Sequence, residues 1–131
     1  MLTSLVNRFY DDLWNRWDDE VVDSLLAADF RFRGSLGEET IGRDGWRRYR
    51  DRVRAGASDF HNQIEELIVE GNRAAARLTY SGTHTGELLG VAATHRSFVY
   101  PGAAFFSSDG AQLTAAWILG DVDGLRIQLA G

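Results

Sequence analysis

The chain contains no cysteine and no lysine. The first absence removes disulfides, thiolate nucleophiles and cysteine-ligated metals. The second removes a side-chain amine for Schiff-base chemistry, since all fourteen basic residues are arginine. Acid–base work is left to carboxylates, three histidines and four tyrosines. Those histidines, His61, His84 and His95, lack close ligand spacing, so no metal site is expected. No apolar run approaches the ~18 residues that span a bilayer. The opening "MLTSLVNRFYDD" has no basic start and no signal-type apolar run. A cytoplasmic protein without a membrane partner is the expectation.

What is present fits one domain, residues 1–131, long enough to bury a core. A composition of 44% hydrophobic and 25% charged residues is ordinary for a globular chain. The net charge of −5 argues against a nucleic-acid partner, which calls for a basic face. One segment runs the other way: "RDGWRRYRDRVR", 43–54, holds six arginines. On a helix its Trp46, Tyr49 and Val53 form one apolar stripe among arginines, so it reads as an amphipathic scaffold helix.

Leu2, Leu5, Val6, Phe9, Leu13 and Trp17 recur at helical spacing and predict a helix over 2–17. Asp18 is placed to cap a second, short helix. "DFRFRGS" alternates as a strand, with Arg31 and Arg33 outward if Phe30 and Phe32 face the core. Gly71-Asn72 and Asp109-Gly110 each separate two β-type runs and predict hairpins. Pro101-Gly102 interrupts a run, where a bulge or bend is expected. Helices followed by a strand meander predict an α+β fold, with helices on one face of a strongly bent sheet that can enclose a pocket.

Four stretches then carry a resemblance: "FYDDLWNRWDDEVVDSLLAADF", "SDFHNQIEELIVEGNRAAAR", "GTHTGELLG" and "DGAQLTAAWILGDVDGLRIQL". In that order and spacing the chain resembles the SnoaL-like polyketide cyclases of the nuclear transport factor 2-like superfamily. The resemblance implies a cystatin-like cone, with N-terminal helices packed on a strongly curved antiparallel or mixed sheet. It also implies aldol-type ring closure without metal, by an aspartate four residues after a strand tryptophan. Trp117 and Asp121 match that pair, and residues 117, 119 and 121 share a strand face. Turn formers surround Asp121 as well, so a plain turn residue is the competing reading.

Other site expectations follow. His84, near a strand end in "GTHTG", is a second catalytic candidate beside a backbone-bonded turn histidine. The resemblance places Phe105 and Ser107 on the cavity face of the penultimate long strand, with Ala103. His95 stands at that strand's mouth, where relatives carry a Thr-Gly pair and this chain has Thr94-His95. Tyr10 and Trp14, four apart on the first helix, would wall a flat apolar ligand. The expected substrate-binding set is therefore Tyr10, Trp14, Phe105, Ser107, Trp117 and His95. Cofactor-independent acid/base chemistry on a small apolar carbonyl compound is the leading expectation. A non-catalytic binder, or a hydrolase built on Asp121, is the alternative. Relatives pair through the open sheet face, so a homodimer is expected. The carboxylates that ketosteroid isomerases need are absent from "FRFRGS" and "PGAAFF".

Overall fold

A computed structural model describes residues 2–131. Helix α1 (Leu2–Arg8) runs directly into a widened π-helical segment, Phe9–Asn15. Asp18 accepts a hydrogen bond from Glu20 N (3.1 Å) and starts a 3₁₀ turn that leads into α2 (Val22–Leu25). Then follow β1 (Leu26–Arg33), β2 (Glu39–Ile41), α3 (Arg43–Gly56), β3 (His61–Glu70), β4 (Arg73–Thr83), β5 (Ser97–Ser108), β6 (Leu113–Gly120) and α4 (Val122–Ala130). The strands form one sheet in the order β2-β1-β6-β5-β4-β3. The β1–β6 pair is parallel and the others are antiparallel, so the architecture is the expected α+β cone with a mixed sheet.

Both hairpins form where turn chemistry places them. Gly71-Asn72 joins β3 to β4, with Gly71 at φ 58°, a conformation that costs glycine little. The 109–112 loop joins β5 to β6 and is held by Asp109, whose carboxylate accepts from Ala111 N and Gln112 N. The bulge expected at Pro101-Gly102 is absent. Register shifts occur instead between Ile64 and Glu66 and between Ser107 and Ser108. Pro101 lies just beyond the last β5–β6 pair, Gly102–Gly120, and its carbonyl accepts from Asp121 N. Its missing N–H therefore removes no ladder bond.

The core lies between the helices and one face of the sheet. Phe9, with no exposed surface, meets the rings of Tyr10, Phe30, Phe32, Trp46 and Phe106 at centroid distances of 5.2–6.4 Å. On β5 and β6 the inward residues are Phe98, Tyr100, Ala104, Phe106, Ala116 and Ile118, all buried. The π-helical end is pinned to β3 by Asn15, which donates to Asn62 O (3.0 Å) and accepts from Asn62 N (2.8 Å). An arginine–aspartate network fixes α3 to the 3₁₀ turn: Arg47 and Arg50 both reach Asp19, which holds the Asp19 carboxyl below its usual range.

Helix α4 was not foreseen, although Leu125 and Leu129 bury one side of it. Asp121 is its N-cap, its carboxylate accepting from Gly124 N at 2.9 Å. Asp121→Ala should therefore lower stability by about 1 kcal/mol in chemical denaturation, and Asp121→Asn by less, because asparagine caps nearly as well.

Candidate functional site

The inner face of the cone holds a small cavity, about 20 Å³, lined mostly by aromatic side chains. Tyr10 and Trp14 come from the π-helical segment, Tyr49 and Val53 from α3, Phe60 and Asn62 from around the start of β3. Tyr80, Tyr100 and Ile118 come from β4, β5 and β6, and Phe32 from β1. The irregular parts of the wall are Ser35 and Leu36, between β1 and β2, and Leu88, between β4 and β5. Every tyrosine of the chain is in this lining. Tyr10 and Trp14 stand where the sequence placed them, on a stretch of π-helix, a form that recurs at functional sites.

The tyrosine hydroxyls fall into two groups. Tyr49 accepts from Leu36 N at 3.2 Å, and Tyr100 shares a hydrogen bond with Ser35 at 3.1 Å. Tyr10 and Tyr80 face each other, and neither oxygen has a well-formed hydrogen bond to the protein. Burial raises all four phenols above their ordinary range, so they remain protonated hydrogen-bond donors. No Asp, Glu, His or Arg lines the cavity. The chemistry of the wall suits a neutral, apolar molecule with an acceptor oxygen, although the free space itself is little larger than a water.

Backbone at two glycines makes room for these rings. A Cβ on Gly34 would lie 2.1 Å from Tyr49 Cζ, and one on Gly102 would lie 2.4 Å from Tyr80 Cε2. Gly102, read from sequence as a bend, is a close-approach position beneath a cavity tyrosine.

The remaining expected site residues lie elsewhere. Phe105, Ser107 and Trp117 do come together, but on the outer face of the sheet, in an open groove of about 1120 Å³. Phe105 and Trp117 are 53% and 44% exposed, with ring centroids 6.1 Å apart. Arg33 covers Trp117 at 4.9 Å from its centroid. The strand-face grouping of 117 and 119 holds, yet from Phe98 to Phe106 and from Ala116 to Ile118 the core took the even-numbered residues. A period of two allows either choice, and Tyr100, Phe106 and Ile118 decided it.

Asp121 is exposed at the head of α4 and lies outside the cavity lining. Its geometry is that of the turn-and-cap reading. His84 is fully buried, but both ring nitrogens are engaged in holding the 85–96 segment. Thr94 N donates to Nδ1 (3.2 Å), so the proton belongs on Nε2, which donates to Val91 O (3.1 Å). His95 is exposed with φ 59° and does not border the cavity. Tyr49, Tyr80, Tyr100, Ser35, Asn62 and Leu88 were missed. For the tyrosines a signal was present: each sits among residues with core-facing periodicity, where a hydroxyl needs a partner.

A helix-backed curved sheet closes around an aromatic interior, forming a cone with a small internal cavity. The chain belongs to the SnoaL-like polyketide cyclase family, whose model matches residues 4–129. Among solved structures it is similar to TsrD from Streptomyces laurentii, with 28% identity, TM-score 0.84, and 98% of this chain and 93% of that one covered. A protein from Jannaschia sp. CCS1, described as a SnoaL-like polyketide cyclase, superposes with TM-score 0.89 at 18% identity, covering 98% and 91% of the two chains. IdmH from Streptomyces antibioticus, described as a polyketide cyclase, gives TM-score 0.85 at 21% identity over 98% of both chains. No curated protein matches the chain significantly. Among the described residues no helix is long and apolar enough to cross a membrane.

The tyrosine cluster has a pH consequence. Folding raises these phenols above their unfolded value near 10, so the stability they contribute is complete below about pH 10 and falls as pH rises further. In an alkaline titration, phenolate absorbance near 295 nm should stay flat until the fold is lost, then rise for all four tyrosines together. Phenolate signal growing gradually while circular dichroism stays native would contradict their burial.

Proposed function

We propose that this chain is a small-molecule enzyme of cyclase or isomerase type, acting on an apolar carbonyl compound inside the cone. The observation that supports this reading is the interior itself: an aromatic cavity in a member of a cyclase family, whose only polar functions are neutral donors and amides. Phenol hydroxyls aimed at a carbonyl oxygen hydrogen-bond to it and polarise the carbonyl. Aromatic walls exclude water and hold the reacting parts together. With about 20 Å³ of free space, the cavity must widen to admit a ring. The Leu88 segment is the natural place, because Leu89, Gly90 and His95 already carry positive φ and little regular pairing holds it.

The acid/base role expected of Asp121 has no part in this proposal. Its carboxylate caps α4 and is not in the cavity wall. His84 is likewise assigned to holding the 85–96 segment. The absence of any carboxylate or histidine from the wall favours a second reading, a non-catalytic binder of the same ligands.

Tryptophan fluorescence tests the site. Trp14 lines the cavity and Trp117 lies outside it, so an aromatic ketone should change an emission that Trp14→Phe removes and Trp117→Phe preserves. The reverse result would move the site to the outer groove. Recovery of a converted product from a panel of aromatic ketones and lactones supports the enzyme. Saturable binding of the whole panel with every compound recovered intact supports the binder.

The outer sheet face supports a homodimer. Val99, Phe105, Trp117 and Leu119, on neighbouring strands, are 44–54% exposed, an apolar patch large for a free monomer of this size. We propose that two copies pack sheet to sheet over it. Light scattering at micromolar concentration should return twice the chain mass, and Phe105→Glu or Trp117→Glu should return the monomer without unfolding it. A wild-type monomer mass would exclude this pairing.

A further inference from the structure

We infer that Tyr10 and Tyr80 form a donor pair that restricts the cavity to uncharged ligands carrying an acceptor oxygen. This rests on the reading of the inner cavity as the ligand site. Each residue is at most 3% exposed, yet the two hydroxyls face only each other and neither makes a well-formed hydrogen bond in the protein. A buried hydroxyl left unpartnered is costly, and native interiors rarely tolerate one, still less two side by side. Their positions are not accidents of loose packing. Tyr10 packs edge-on to Phe9 and Phe106 at 5.2 and 5.9 Å, and Tyr80 is stacked on Phe60 at 5.9 Å and packed on Tyr100 at 5.0 Å. Both rings are held rigidly, so neither hydroxyl can swing to solvent for a partner.

The count of protons gives the pair its direction. Two neutral phenols hold two O–H groups. If one donates to the other, one O–H still remains, and burial keeps both phenols protonated. At least one unspent donor therefore remains, and it fits a carbonyl, ether or hydroxyl oxygen on the ligand.

The remaining polar groups of the wall each have a protein partner: Ser35 and Tyr100 bond each other, Tyr49 accepts from Leu36 N, and Asn62 Nδ2 donates to Asn15. None of the lining residues is charged, so an anionic ligand would lose its hydration without gaining a counter-ion, and the chain's net charge of −5 opposes it further. Phosphates and carboxylates are excluded, and a ketone or quinone-like oxygen is accepted.

Three small probes of similar shape separate the terms: acetophenone, with a neutral acceptor oxygen; ethylbenzene, with none; and benzoate, anionic at pH 8. Isothermal titration calorimetry on the full-length protein should show acetophenone binding about tenfold more tightly than ethylbenzene, the worth of one good hydrogen bond. Benzoate should not bind. Tyr10→Phe and Tyr80→Phe should each bring acetophenone toward the ethylbenzene affinity and leave ethylbenzene unchanged. Their melting temperatures should hold or rise, because the deleted hydroxyls make no well-formed hydrogen bond in the protein. Equal affinity for the three probes, or a fall of several degrees in melting temperature in both variants, overturns the donor pair while leaving the cavity as a site. Failure of acetophenone and ethylbenzene alike, with no change in Trp14 emission, removes the cavity reading and this inference with it.

Discussion

Burial of one aromatic face of the sheet against the N-terminal helices is the constraint on which the rest of this molecule depends. Phe9 is its centre, in contact with rings from β1, β5, α3 and its own helix. Packed aromatic pairs of this kind add about 0.5–1.5 kcal/mol each beyond simple burial. Once Phe106, Tyr100 and Ile118 are committed to that core, pleating sends Phe105, Trp117 and Leu119 to the other side. The same commitment that builds the cavity thus creates the apolar outer face. The aromatic interior and the exposed apolar outer face are two consequences of one choice of strand face.

The cavity wall carries no carboxylate, histidine or arginine. Its polar groups come from four phenols, one serine and one asparagine, and burial keeps the phenols neutral. Ionisable groups are instead used at the periphery. Arg47 and Arg50 bind Asp19, Asp121 caps a helix, and His84 ties down a loop. In the proposed reading, hydrogen-bond polarisation and confinement are the means by which the interior acts on a ligand.

Local structure adapts to hold the tyrosines. The π-helical stretch carries Tyr10 and Trp14 inward, and Asn15 locks its end to β3. Gly34 and Gly102 give up side chains so that Tyr49 and Tyr80 can lie against the backbone. The 85–96 segment, stitched through His84, supplies Leu88 to the wall and is the least regular part of it. Aromatic rings form most of the wall, and two irregular stretches, one with Ser35 and Leu36 and one with Leu88, complete it.

The sequence by itself determined the elements and much of their order. Helical spacing in 2–17, the arginine helix with its Trp46–Tyr49–Val53 stripe, and two hairpins marked by glycine turns were all legible, because each rests on interactions within a few residues. So was the α+β cone, and so were Tyr10 and Trp14 as wall residues. Which face of β5 and β6 looks inward was not legible. Alternation carries no sign, and both sets, 98-100-106-118 and 99-105-117-119, contain large apolar side chains. Only the packing of Phe9 and α3 against one of them broke the tie, and it took Trp117, Phe105 and Asp121 away from the interior. The meeting of Tyr10 with Tyr80, seventy positions apart, was also beyond local reading, since only closure of the sheet over the helices brings those hydroxyls together.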